Sequence, residues 1–112
     1  MKKLLLCLAL VTGSAHATFM DGNLLLQKIR GDDASQILAM GYIMGVHDTF
    51  EGIYFCPPSG MTAGQAMDIM NKSLTAKPET RHLSGDVLVV STLGVLYPCK
   101  KQPQTQKQKS VL

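Results

Sequence analysis

Two cysteines, Cys56 and Cys99, are the feature of this 112-residue sequence that most restricts its fold. A third, Cys7, lies in an apolar stretch near the start and is expected to be removed with a signal peptide. One pair then remains in the mature chain. In an oxidising compartment these two cysteines are expected to form a disulfide that ties the middle of a small domain to its end.

The first 17 residues have the three parts of a secretory signal peptide. Two lysines form a basic start, an apolar run follows over residues 4–11, and Ala15-His16-Ala17 forms a small-residue cleavage site. The apolar run is shorter than the roughly 20 residues of a membrane-spanning helix. The sequence therefore predicts cleavage after Ala17 and a periplasmic protein, with a buried N-terminal helix as the alternative.

The mature chain divides into a domain at 18–99 and a tail at 100–112. The domain carries five basic and eight acidic residues, whereas the tail carries four lysines and no acid. Because the tail is rich in Gln and Lys and has no apolar residue before Val111, we predict that it is disordered. A solubilising role is favoured over contact with an anionic cell envelope or DNA. The acidic domain is not expected to bind nucleic acid.

Apolar spacing predicts two helices in the first half of the domain. A short helix should begin near Asp21 and end before Gly31, and Asp32 or Asp33 should cap the second helix, predicted at 34–53. One face of that second helix is apolar, and it consists of Ala39, Tyr42, Ile43, Val46, Phe50 and Ile53.

Gly41 and Gly45 stand one helical turn apart in the second helix. A mid-helix glycine costs about 1 kcal/mol relative to alanine, so we expect this pair to admit the backbone of another helix. Packing within the monomer is favoured, and the alternative is a seam between two copies.

A capping-box pattern at Thr62-Ala63-Gly64-Gln65 predicts a third helix at 63–76, which Pro78 ends. Its inward residues should be Ala66, Met67, Met70 and Leu74. The last segment, 86–97, is β-branched and ambiguous. Propensity allows a strand, whereas apolar spacing at 89, 93, 96 or at 90, 94, 97 allows a helix with Ser84 as its cap.

No group of catalytic residues is evident in the sequence. His47, Asp48 and Glu51 could act as an acid–base group, but we place them on the solvent side of the second helix, opposite its apolar face. No cysteine stays free, and no phosphate loop or nucleophile elbow is present. Isolated cysteines and distant histidines do not indicate a metal site. We therefore predict a protein that is not an enzyme and has no metal or cofactor.

Five ordered segments cover nearly the whole mature chain: Phe19-Met20-Asp21-Gly22-Asn23-x-Leu25-Leu26, Met40-Gly41-Tyr42-Ile43-x-Gly45-Val46-x-Asp48, Phe55-Cys56 with Met61-Thr62-Ala63-Gly64-Gln65, Pro78-Glu79-x-Arg81-His82-Leu83, and Pro98-Cys99. Together they resemble the Rap/Tai family of type VI secretion immunity proteins. The resemblance implies an all-α fold, a small bundle of about four helices stapled by one disulfide. It therefore favours a helix for the last segment.

Members of this family are periplasmic proteins that bind and block peptidoglycan amidase toxins, and some act as homodimers. They commonly carry a second cysteine pair at the positions that match Ile29 and Ala39. Both residues are apolar here, which fits a disulfide replaced by packing, and the toxin that is bound could differ accordingly. The rival interpretations are a small periplasmic chaperone of the acid-stress type and a cell-wall hydrolase.

A rigid loop is the predicted toxin-binding element, because blocking a cleft needs a preorganised protrusion. It consists of Pro57, Pro58, Ser59, Gly60 and Met61, and we call residues 57–61 the binding loop. We expect Met61 to be exposed as an apolar anchor. The polar rim should be formed by His47, Asp48 and Glu51. The alternative is that the loop is only a connector between helices.

The exported protein should begin at Thr18, because the small-residue site ends at Ala17. Intact-mass spectrometry of periplasmic material should give the mass of residues 18–112. A product that retains Met1, or one lipidated at Cys7, would contradict this prediction.

Overall fold

The computed structural model describes residues 18–100. The predicted signal peptide, and the predicted tail apart from Lys100, lie outside the described residues. Within 18–100 the backbone forms four α-helices and a short 3-10 helix, with no β-strand beyond isolated bridges. The helices are α1 (Gly22–Ile29), α2 (Asp33–Phe50), α3 (Ala63–Ala76) and α4 (Gly85–Leu96), with the 3-10 helix at Pro78–Thr80. The predicted all-α fold is confirmed.

Three of the helices begin at side chains that the sequence singled out. The Asp21 carboxylate accepts a hydrogen bond from the amide of Leu24 (2.8 Å), and that of Asp32 accepts one from Ser35 (2.9 Å). The bond from Ser35 lowers the pKa of Asp32. The Thr62 hydroxyl and the Gln65 side chain form both bonds of the capping box that begins α3.

Ser84 occupies the cap position of α4, but the predicted side-chain cap is absent. Its hydroxyl donates to the Asp86 carboxylate instead. The first turn of α4 is held from outside the helix, since the Gly85 amide donates to the carbonyl of Met20 (2.8 Å). A backbone partner from the N-terminal segment therefore replaces the expected hydroxyl.

The core lies around α2, which packs against α1, α3 and α4. The predicted inward residues of α1 and α3 are buried. Ile29 and Ala39, the positions that match the second cysteine pair of the family, are buried in the same cluster. The core as a whole consists of Met20, Leu25, Leu26, Ile29, Ala39, Ile43, Phe55, Ala66, Met67, Met70, Leu74, Leu88, Val89 and Leu93.

Helix α2 ends at Phe50, three residues before the predicted end. Gly52 has a φ of +79°, the left-handed conformation that commonly stops a helix. Its amide donates to the carbonyl of Phe55 (2.8 Å), which closes a turn. The side chain of Ile53 is consequently 66% exposed, and its predicted place on the apolar face was wrong. The signal for this turn was the glycine itself.

The N-terminal segment is locked against the start of α4 at two glycines. The Gly22 amide donates to the carbonyl of Leu83 (3.0 Å), complementing the bond from Gly85. A Cβ atom on Gly22 would lie 2.5 Å from Leu88 and 2.8 Å from the carbonyl oxygen of Arg81. A Cβ atom on Gly85 would lie 2.9 Å from the carbonyl oxygen of Met20. Glycine at both positions therefore allows two backbones to approach closely.

Helix α4 buries a stripe that differs from the predicted ones. Val89 and Leu93 are fully buried, and Tyr97 packs at the edge of the core. These residues follow one another at intervals of four, so Leu96 falls outside the stripe and is exposed. Its predicted inward position was wrong.

The Cys56–Cys99 disulfide is present, with the two Cα atoms 4.8 Å apart and a sequence separation of 43. The Cys56 amide also donates to the carbonyl of Tyr97 (2.8 Å). Closing a loop of this length contributes about 4 kcal/mol in the chain-entropy model. The disulfide therefore ties the segment after α2 to the end of α4.

Replacing both cysteines, Cys56→Ser with Cys99→Ser, should lower the free energy of unfolding by about 2–5 kcal/mol, because the unfolded chain regains its freedom. Urea titration of residues 18–112, followed by circular dichroism, measures this. Reduced wild-type protein is the control and should match the variant. A loss below about 1 kcal/mol would show that the bond adds little to the helix packing.

Candidate functional site

The binding loop is held at both ends by the contacts of its neighbours. Cys56, immediately before it, carries the disulfide and the backbone bond to Tyr97. Thr62, immediately after it, carries the capping box of α3. Between these anchors Pro57 is half-buried, whereas residues 58–60 are exposed. The sequence predicted this anchoring, and the loop presents a short exposed tip.

Met61, at the end of the loop, is partly buried against the core. It occupies the position before the Thr62 cap, where an apolar side chain commonly folds back onto the first turn of the helix. The expectation that Met61 is exposed as an anchor was therefore wrong. Its side chain packs against the core instead.

His47 is buried, and its predicted place on the solvent face was wrong. Only 7% of the residue is exposed, and its ring centroid lies 5.5 Å from that of Phe55. The reason is helical spacing: His47 follows Ala39 and Ile43 at intervals of four, so it continues their buried stripe. The sequence analysis missed the burial of His47 because it counted only apolar residues as part of the buried face of α2 and assigned histidine to the solvent face.

The two carboxylates predicted beside His47 are exposed, and they meet one edge of its ring. Nδ1 lies 3.1 Å from Asp48 Oδ1 and 3.6 Å from Glu51 Oε2. The other ring nitrogen, Nε2, is buried and has no hydrogen-bond partner among the described residues. The ligand atoms of the three residues lie within 4.8 Å of one another. Exposed acidic groups commonly occur without a bound ion, and we assign no cation to this group.

The predicted binding residues thus divide into buried supports and exposed groups. His47 and Met61 face the core, while Asp48, Glu51 and residues 58–60 face solvent. Phe55 contacts His47, and the loop begins two residues later. The role of all eight residues in binding a partner stays a prediction.

A second exposed surface, which we call the outer face of α2, contains the glycine pair that was expected to pack within the monomer. It consists of Ile37, Leu38, Met40, Gly41 and Gly45. A Cβ atom built on either glycine would have nothing within 4 Å among the described residues. The expected packing of the glycine pair against a helix of the same chain was therefore wrong.

A shallow groove of about 550 Å³ lies along this face and reaches Phe19, Tyr42 and Asp86. The rings of Phe19 and Tyr42 stack with their centroids 6.2 Å apart. Partial burial raises the pKa of Tyr42, and the nearby Asp86 carboxylate raises it further. Phe19 and Tyr42 thus give the groove an aromatic end.

These features define a small disulfide-bonded helical domain, with an anchored loop and an uncovered helix face. The family model described as Rap1a immunity proteins matches residues 21–99, and the chain belongs to that family. The family resemblance noted in the sequence is thereby confirmed. Membership indicates a non-catalytic inhibitor that binds a protein toxin. Among curated proteins, none matched the chain. Within the described residues, every helix is too short or too polar to cross a membrane.

Replacing His47 with leucine should leave the fold intact and the free energy of unfolding within about 1 kcal/mol of wild type. An apolar side chain of similar size removes a buried nitrogen that lacks a partner. Thermal unfolding at neutral pH measures this, with His82→Leu, an exposed position, as the control. A loss above about 3 kcal/mol would mean that the imidazole makes an essential polar contact.

Proposed function

We propose that this protein is a periplasmic immunity protein that binds and inhibits a peptidoglycan amidase toxin delivered by type VI secretion. The family match over residues 21–99 carries the proposal. The disulfide supports an oxidising compartment, since such bonds persist mainly in exported proteins. The amidase as target rests on the resemblance of the sequence segments to the Rap/Tai family.

Inhibition would occur by occupation of the toxin's cleft with the binding loop. The disulfide and the capping box restrain both ends of the loop, so little conformational freedom is lost on binding. The tip, residues 58–60, is exposed and uncharged. Gly60 has a φ of +89°, which turns the chain sharply at the tip.

The apolar contact that Met61 cannot supply is available nearby from Ile53 and Tyr54. Both side chains are exposed, at 66% and 60%. The ring of Tyr54 is braced by that of Phe50, with the centroids 5.5 Å apart. Braced aromatic side chains are frequent anchors at protein interfaces. The exposed carboxylates of Asp48 and Glu51 would supply the polar rim.

Introducing two acidic residues at the loop tip, Pro58→Glu with Ser59→Glu, should weaken toxin binding at least roughly tenfold. Buried charges without partners oppose docking in a cleft, and each tenfold loss corresponds to about 1.4 kcal/mol. Calorimetry with purified amidase toxins measures affinity, and peptidoglycan cleavage measures inhibition. The matched control is Asn23→Glu with Gln27→Glu, which adds the same charges to exposed positions of α1.

Full inhibition by the loop variant, with an unchanged dissociation constant, would show that the loop is only a connector. Absence of binding between the wild-type protein and any peptidoglycan amidase would refute the proposed target. The family membership would stand in both cases, and toxins of other classes would then be tested.

We further propose that the protein forms a homodimer through the outer face of α2. The two glycines stand on that face beside exposed Ile37 and Met40, with nothing packed on them in the described chain. Glycines one turn apart allow two helices to approach closely, and apolar neighbours give the seam its stability.

The double variant Gly41→Ala with Gly45→Ala distinguishes a dimer interface at these glycines from a solvent-exposed helix face. In the monomer each change should stabilise α2 by up to about 1 kcal/mol, because alanine favours a helix and meets no atom. In a close seam the added methyl groups should instead force the two copies apart. Sedimentation at several concentrations measures the dimer constant. An unchanged constant, or a monomeric wild type, would place the seam elsewhere or remove it.

A further inference from the structure

A groove of about 580 Å³ lies between α3 and α4, and no residue of the binding loop lines it. We call it the α3–α4 groove. Its deepest lining residues are Leu74 and Leu88, which belong to the core. Above them the walls are apolar and open to solvent: Val95 is 79% exposed and Leu96 51%. The groove therefore leaves a contiguous apolar strip in water, which is typical of an interaction site.

The serine and threonine hydroxyls that line the groove are already hydrogen-bonded within the protein. The hydroxyls of Ser73 and Thr92 bond to each other across the two helices (3.0 Å). The Ser91 hydroxyl donates to the backbone carbonyl of Leu88 (3.2 Å), and the Thr80 hydroxyl donates to the backbone carbonyl of Lys77 (3.2 Å). An occupant consequently meets few free hydrogen-bonding groups along the middle of the groove, so its contacting face should be apolar.

The charges at the groove are all of one sign. Lys72 and Lys77 line it, and no acidic residue does. The ion pairs found in the described residues all involve His47, so neither lysine has a carboxylate within 4.0 Å. Asp68 lies one turn from Lys72, and both residues line a neighbouring cleft, but Asp68 does not line the groove itself. In a domain with eight acidic and five basic residues, two unpaired lysines here favour an acidic partner.

We propose that the α3–α4 groove binds one amphipathic helix of a protein partner, whose flanking acidic residues meet Lys72 and Lys77. Leu88 and Val95 stand two turns apart on α4, with Ser91 and Thr92 between them. Helical walls of this kind accept the ridge of another helix, whose apolar anchors recur with the same spacing. The chain's own tail fits poorly, because its four lysines would meet two more.

This site is separate from the proposed inhibitory loop. Its existence does not depend on the identity of the toxin.

The test uses residues 18–112, labelled with ¹⁵N, and two synthetic peptides of about 15 residues, near the minimum length of an isolated helix. One peptide carries leucines at helical spacing with glutamates at the flanks. The other has every glutamate replaced by lysine. The glutamate peptide should shift the amide signals of groove residues. It should bind at least roughly tenfold more tightly than the lysine peptide, a difference of about 1.4 kcal/mol.

Two exposed valines of α4 provide matched variants. Val95→Glu, in the groove wall, should abolish binding of the glutamate peptide. Val87→Glu, at a 52% exposed position of the same helix outside the groove, should leave it unchanged. Lys72→Glu with Lys77→Glu should reverse the preference, so that the lysine peptide binds more tightly. Circular dichroism confirms that each variant is folded.

Equal affinity for both peptides, equal effects of the two valine variants, or shifts that map outside the groove would overturn the proposal. A wild-type dimer that Val95→Glu dissociates would also overturn it, because the groove would then be covered by a second copy. The loop variant Pro58→Glu with Ser59→Glu should bind the glutamate peptide normally. Failure of the proposed toxin inhibition is thus distinguishable from failure of this site.

Discussion

The cross-link between Cys56 and Cys99 is the constraint on which the arrangement of this small domain depends. It joins positions 43 residues apart, and a backbone bond from Cys56 to Tyr97 lies beside it. The end of α4 and the start of the binding loop are therefore held together. A domain of this size has a modest core. A disulfide that contributes about 4 kcal/mol to the free energy of unfolding is therefore a large share of its expected stability.

Burial within this frame separates residues that support a site from residues that can touch a partner. His47 and Met61 have the chemistry of contact residues, but both pack inward. His47 keeps one ring nitrogen without a partner in the core while the other faces two carboxylates. What remains exposed is the tip of the loop, the turn with Ile53 and Tyr54, the outer face of α2 and the α3–α4 groove. Several separate surfaces on one rigid scaffold suit a protein whose work is binding.

Much of the fold could be predicted from local signals. Thr62 caps α3 as expected, Asp32 is the one of the two candidate aspartates that caps α2, α1 begins beside Asp21 as expected, and α3 has the predicted bounds. These predictions succeeded because a capping residue lies within a few residues of the helix turn that it caps. The errors came where distant parts meet. Gly41 and Gly45 were expected to touch a helix of the same chain, and no local pattern states which helix face stays uncovered.

The sequence by itself determined the first three helices apart from the end of α2, the pairing of Cys56 with Cys99 and the family, because these depend on short-range chemistry and on an ordered set of motifs. For the last segment the residues left strand and helix open, and only the family resemblance favoured a helix. Only the tertiary structure decided which polar residues are buried and which apolar residues are exposed. Helical spacing gives each residue an angle around its own axis, but not the direction from which neighbouring helices approach. Gly22 and Gly85 show the difference most clearly. Each is a plain turn or helix-start signal in sequence, and each is required because a backbone from the other end of the domain lies within 3 Å of where its Cβ would be.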